Sequence, residues 1–76
     1  AEAARAVAER LRHYVQAGHF GEAGDIRLTV SIGLAVSPDP QGGGPVTGRE
    51  QIRRADTAML EAKRQGGNRV LLWRAP

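Results

Sequence analysis

Residues 26–36 read IRLTVSIGLAV, and this stretch decides the fold. Ile26, Leu28, Val30, Ile32, Leu34 and Val36 alternate without a break, the period-two pattern of a β-strand with one apolar face. The other face carries Arg27, Thr29, Ser31, Gly33 and Ala35, mostly small side chains that let a second element come close. Both faces are therefore expected to be covered. Gly33 is read as permitting that packing rather than touching a ligand.

Upstream, residues 1–17 (AEAARAVAERLRHYVQA) predict a helix with Ala4, Val7, Ala8, Leu11 and Val15 on one buried stripe. Gly18 terminates it, and residues 18–24 read as a loop anchored by Phe20. Downstream, residues 37–46 (SPDPQGGGPV) hold three prolines and three consecutive glycines, which neither continue a strand nor start a helix. Thr47 then opens a capping box: its hydroxyl accepts from the Glu50 amide while Glu50 reaches back. The helix that follows, about 48–65, is expected to bury Ile52, Ala55, Met59 and Ala62 and to end at Gly66 and Gly67. A short strand at 69–73 (RVLLW) closes the sequence. The last three elements make a strand–helix–strand unit whose crossover is long enough for parallel pairing with a right-handed connection. Two strands cannot shield this much apolar surface, so further strands are expected from chain outside these residues or from a partner. The opening in mid-helix pattern is likewise what a piece of a longer protein would show.

Seventy-six residues with 41% hydrophobic content allow one small domain. A chain of this size buries only about 60% of the surface its unfolded form exposes, so its core is marginal. There is no cysteine, which excludes disulfides, thiolate zinc sites and cysteine nucleophiles. No apolar run nears the roughly 18 residues of a membrane helix, so no membrane contact is expected from this segment. The net charge is +3, and ten of the eleven basic residues are arginine, which suits an anionic partner. A nucleic-acid-binding sheet would need aromatic stacking platforms on its strands. Tyr14, Phe20 and Trp73 are the only aromatics and none lies within 26–36, so no nucleic-acid partner is expected.

Most catalytic constellations are missing. His13 and His19 are six apart, a spacing that neither one helix face nor a zinc pair requires, and both read as solvated or locally hydrogen-bonded. Ser31 lacks a glycine elbow. Gly42, Gly43 and Gly44 lack the following lysine and hydroxyl residue of a phosphate loop. Glu9 and Asp56 each lack a second acid nearby, and paired acids are what two-metal phosphoryl chemistry needs. No catalytic residue and no metal ligand is assigned.

What remains is residues 55–70, ADTAMLEAKRQGGNRV. This resembles the C-terminal signature of GGDEF domains, the diguanylate cyclases: alanine, aspartate, any, alanine, leucine, tyrosine, any, alanine, lysine, arginine, any, glycine, arginine, asparagine. AERLR at 8–12 and LTVSIGLAV at 28–36 agree with the same family in order and spacing. The resemblance covers nearly the whole chain and places residues 1–76 as the C-terminal portion of one such domain. It implies an α/β (α+β) fold: a helix–strand–helix–strand fragment of a nucleotide-cyclase-like, ferredoxin-like palm with a central sheet flanked by helices. It also implies that the glycine-glycine-acid-acid-phenylalanine hairpin, the metal-binding aspartates and the guanine-reading groups lie outside these residues.

The resemblance further implies that the intact domain condenses two GTP into cyclic di-GMP for bacterial signalling. It would do so with Mg²⁺, as a homodimer in the cytoplasm in which each protomer holds one GTP, with membrane anchoring of the parent through an upstream domain left open, while the fragment alone is inactive. Residue by residue, Lys63 matches the lysine that contacts the GTP triphosphate. Arg10 matches an arginine of the inhibitory site for cyclic di-GMP. Three departures stand out. Gly67 replaces a second phosphate-contacting arginine, with Arg64 and Arg69 as nearby substitutes of different direction. Leu60 replaces a tyrosine as a packing change. Asp56 and Asn68 match the signature and are read structurally, as a hydrogen-bonding helix residue and a turn residue. The alternative to an enzyme is a degenerate module that binds GTP or cyclic di-GMP as a sensor without turnover.

Overall fold

The computed structural model describes residues 2–37, 39 and 42–75. The elements run α1 (Glu2–Ala17), β1 (Ser31–Leu34), α2 (Gly48–Arg64) and β2 (Arg69–Leu72). The expected α+β order is therefore observed. Positions 38, 40 and 41 of the expected loop lie outside the described residues.

The two strands pair in parallel, with Ser31 opposite Arg69 and Leu34 opposite Leu72. The Trp73 amide extends the ladder by donating to the Leu34 carbonyl at 2.7 Å. Each helix packs on both strands and the two do not touch each other, so they flank the sheet on opposite faces. The α2 face explains Gly33. A Cβ there would run into the Ala55 carbonyl oxygen and the Met59 amide, so glycine lets α2 lie directly on β1.

The strand is shorter than its eleven-residue pattern. β2 begins opposite Ser31, so residues 27–30 face the α2–β2 turn and find no backbone partner among the described residues. Ile26 instead forms an antiparallel bridge with Phe20, two hydrogen bonds of 2.9 Å closing the 20–26 loop. Ile26 and Leu28 consequently remain about half exposed, which corrects the expectation that both strand faces are covered along their length.

The helix stripes also shift. On α1, Ala8 is buried with Ala4 and Val15 half-buried, whereas Val7 and Leu11 are exposed together with Tyr14. At 100° per residue these three fall on a stripe displaced by roughly a quarter turn from Ala8. On α2 the buried residues are Ala58 and Ala62, with Ala55 and Met59 half-buried. Ile52, expected inside, lies at the margin of that stripe and is 73% exposed. The described core is Ala8, Ala58, Ala62 and Val70, which is small side chains held at close helix–sheet spacing.

Candidate functional site

The site region is the end of α2 and the turn into β2. Thr47 caps the start of α2, its hydroxyl accepting from the Glu50 amide at 3.1 Å. The reciprocal half of the expected capping box does not form. The Glu50 carboxylate turns to Arg53 (2.8 and 2.7 Å) and Arg54 (2.9 Å). Those hydrogen bonds, first from Arg53 and then from Arg54, hold its pKa down at about 2.

At the other end the chain leaves the helix through a Schellman motif. The Gly67 amide donates to Ala62 O at 2.9 Å and the Gly66 amide to Lys63 O at 3.1 Å. Gly66 (φ 114°) and Gly67 (φ 73°) supply the left-handed backbone, as their spacing predicts. Asn68 follows at φ 51°, a conformation its short amide tolerates, and its Oδ1 accepts from Arg12 Nη1 at 3.0 Å. Asn68 is thus the expected turn residue, with an added tether to α1. Arg12 also binds Glu9 and Gln16 at 3.1 Å each.

Lys63 is exposed in the last turn of α2, with no ion pair among the described residues. Arg64 is paired with Glu61 at 3.2 Å and points into solvent. Arg69 folds back over the turn: its Nε donates to Gly67 O and its Nη1 to Gln65 Oε1, both at 3.1 Å. Gly67 resists a simple replacement, chiefly through its backbone. Its φ is left-handed, and a Cβ would sit 3.3 Å from Ser31 Oγ. Arg10 is exposed on α1, across the sheet from Lys63, beside a shallow groove shared with His13, Tyr14 and Phe20. The structure therefore does not bring Lys63 and Arg10 together. Asp56, expected to hydrogen-bond, is exposed and unpartnered among the described residues. His19 is locally bonded, its Nδ1 3.2 Å from Gly24 O.

Sequence reasoning missed a cluster around Arg54. Its guanidinium stacks over Trp73 at 4.2 Å, binds Glu50, and lies 3.7 Å from Asp39. It links Asp39, the first turn of α2 and Trp73 just past β2. The three- and four-residue spacing of Glu50, Arg53 and Arg54 was a legible signal; the stack on Trp73 was not. Among the described residues, no group of three or more His, Asp or Glu side chains converges to hold a metal. No described helix is long and apolar enough to cross a membrane.

The family model for "Diguanylate cyclase, GGDEF domain" matches residues 1–69. Uncharacterized proteins of Mycobacterium bovis and of two Mycobacterium tuberculosis strains are each 42% identical to the chain over 76 residues. Those alignments cover 99% of this chain and 11% of each relative, so the chain spans about a tenth of their length. No solved structure matches. With the parallel strand–helix–strand unit, the glycine-terminated α2 and this match over most of its residues, the chain belongs to the diguanylate cyclase, GGDEF domain family.

Proposed function

We propose that residues 1–76 are the C-terminal portion of one GGDEF domain, and that the full-length protein carrying them condenses two GTP into cyclic di-GMP. The family match over residues 1–69 is the observation that carries this reading. In it, Lys63 contributes a compact point charge to the GTP triphosphate. The physical need for that charge is plain. The C-terminal end of a helix bears about half a negative charge, which repels phosphate unless nearby cations offset it. The amides of Gly66 and Gly67 are already spent on the helix end, so they offer no anion cradle. Binding at this turn therefore depends on side chains. Arg10, on the opposite face, belongs to the inhibitory site for cyclic di-GMP. Mg²⁺ would be held by acids outside these residues, and two protomers, each with one GTP, would meet in a cytoplasmic homodimer.

One observation favours a second reading. Gly67 deletes a phosphate-contacting cation, and its left-handed backbone is built into the helix end. A module weakened in this way fits a sensor that binds GTP or cyclic di-GMP without turnover. The test is product formation: full-length protein and the 76-residue chain are incubated separately with GTP and Mg²⁺, and cyclic di-GMP is quantified by chromatography. Product from the full-length protein and none from the chain is expected. GTP binding without product would establish the sensor, and neither binding nor product would overturn both readings.

A further inference from the structure

The cations at the α2–β2 turn are not equivalent. Arg64 has an acidic partner in Glu61, and Arg12 divides its donors among Glu9, Gln16 and Asn68. Arg69 has no carboxylate partner among the described residues. A guanidinium carries five N–H donors, and Arg69 uses one on Gly67 O and one on Gln65 Oε1. Three donors and the whole positive charge are left over. Its Nη2 lies 3.5 Å from where a Gly66 Cβ would be, so the head group sits against a stretch with no side chains of its own. Two glycines thus leave the turn bare, and Arg69 covers it.

We propose that Arg69 is the second phosphate-binding cation of this turn. It would act with Lys63 on the phosphate oxygens of a nucleoside triphosphate, in place of the side chain that Gly67 lacks. This rests on the reading of Lys63 as a triphosphate contact. The direction objection raised by the sequence falls away, because Arg69 does not run out along β2. Its side chain returns over residues 65–67, the same turn that follows Lys63. The two existing bonds fix the planar head group in advance, so little side-chain freedom remains to be lost when a phosphate binds. A phosphate arriving there meets a planar guanidinium with three donors uncommitted.

The test is calorimetric titration of the full-length protein with GTP and, separately, with GMP, for wild type, Arg69→Gln, Arg69→Lys and Lys63→Ala, each with a thermal melt. Arg69→Gln is expected to weaken GTP by about tenfold or more and to leave GMP unchanged. Arg69→Lys, which keeps the charge without the fork, is expected to fall between. Loss of GTP affinity in Lys63→Ala with none in either Arg69 variant would overturn this inference and leave the proposed function standing. No loss in any variant would overturn both. Equal losses for GTP and GMP together with a lowered melt would make Arg69 a brace of the turn, which also overturns it. Should Arg69→Gln not fold, Arg69→Lys alone decides, by whether GTP is weakened more than GMP.

Discussion

Replacing Gly33 with alanine tests the packing on which the whole fragment is built. The added Cβ meets the Ala55 carbonyl oxygen and Met59 amide inside contact distance, and lies 2.9 Å from Met59 Cα. All of these are backbone atoms, so no rotamer change relieves the overlap. α2 has to lift from β1 by roughly an ångström in a core that is close-packed. Lifting it loosens Ala58 and Ala62, which are 5% and 0% exposed and half of the described apolar core. Overpacking typically costs about 1–3 kcal/mol, and a clash with immovable backbone belongs at the top of that range. Alanine returns roughly 0.4–1 kcal/mol by restricting the unfolded chain. A net loss of about 2 kcal/mol remains, which for a domain of this size is a fall of roughly 8–16 °C in Tm. The assay is thermal unfolding by circular dichroism, with Gly48→Ala as the control. Gly48 opens α2 with nothing within 4 Å of its Cβ position, so that variant is expected to hold or gain stability. If Gly33→Ala melted together with wild type, α2 would not lie on β1 as described, and the reasoning would fail.

Other outcomes follow from the same geometry. Glu50 has its pKa lowered from 4.5 to about 2 in the folded protein, so the stability it contributes is present above pH 4.5 and is lost as pH falls toward 2. Acid unfolding of Glu50→Gln should therefore show a smaller loss through that window than wild type, and identical acid profiles would refute the pairing with Arg53 and Arg54. Arg54→Met removes the cation over Trp73, the only tryptophan in the sequence, and frees Glu50 and Asp39 from it. A changed Trp73 emission and a loss of about 1–2 kcal/mol are expected; unchanged emission would mean the stack does not persist in solution. Gly67→Arg places a side chain at φ 73° beside Ser31 and should cost about 1–3 kcal/mol of stability. A melt equal to wild type would show that the turn adapts.

Much of the architecture was legible because it depends on local rules. The alternation at 26–36, the Thr47 cap, and the Gly66–Gly67 stop each specify backbone geometry within a few residues; the cap and the stop are found where the sequence puts them, and the strand forms over Ser31–Leu34 of its pattern. The errors arise where a distant partner decides. β1 begins only at Ser31 because β2 starts opposite it, and nothing in residues 26–30 encodes that register. Val7, Leu11 and Ile52 carry the apolar pattern of a buried stripe, yet the sheet is two strands wide and covers only the alanine-rich line of each helix. The reach of Arg12 to Asn68 and of Arg54 to Trp73 spans separate elements, so side-chain spacing gave no hint of either. Lys63 and Arg10 were recognisable only by resemblance to the family signature, since each is an exposed helix cation with no local mark of function.

The most direct test of the account is a GTP titration of the full-length protein, wild type against Lys63→Ala, with melts to confirm folding. Alanine suits the last turn of α2, and Lys63 has no described partner to lose, so the fold should be unaffected. Loss of one charge-assisted contact is expected to weaken GTP roughly ten- to a hundredfold. Unchanged affinity in a folded Lys63→Ala protein would contradict the account, leaving Lys63 a solvated surface lysine and this chain without its substrate contact.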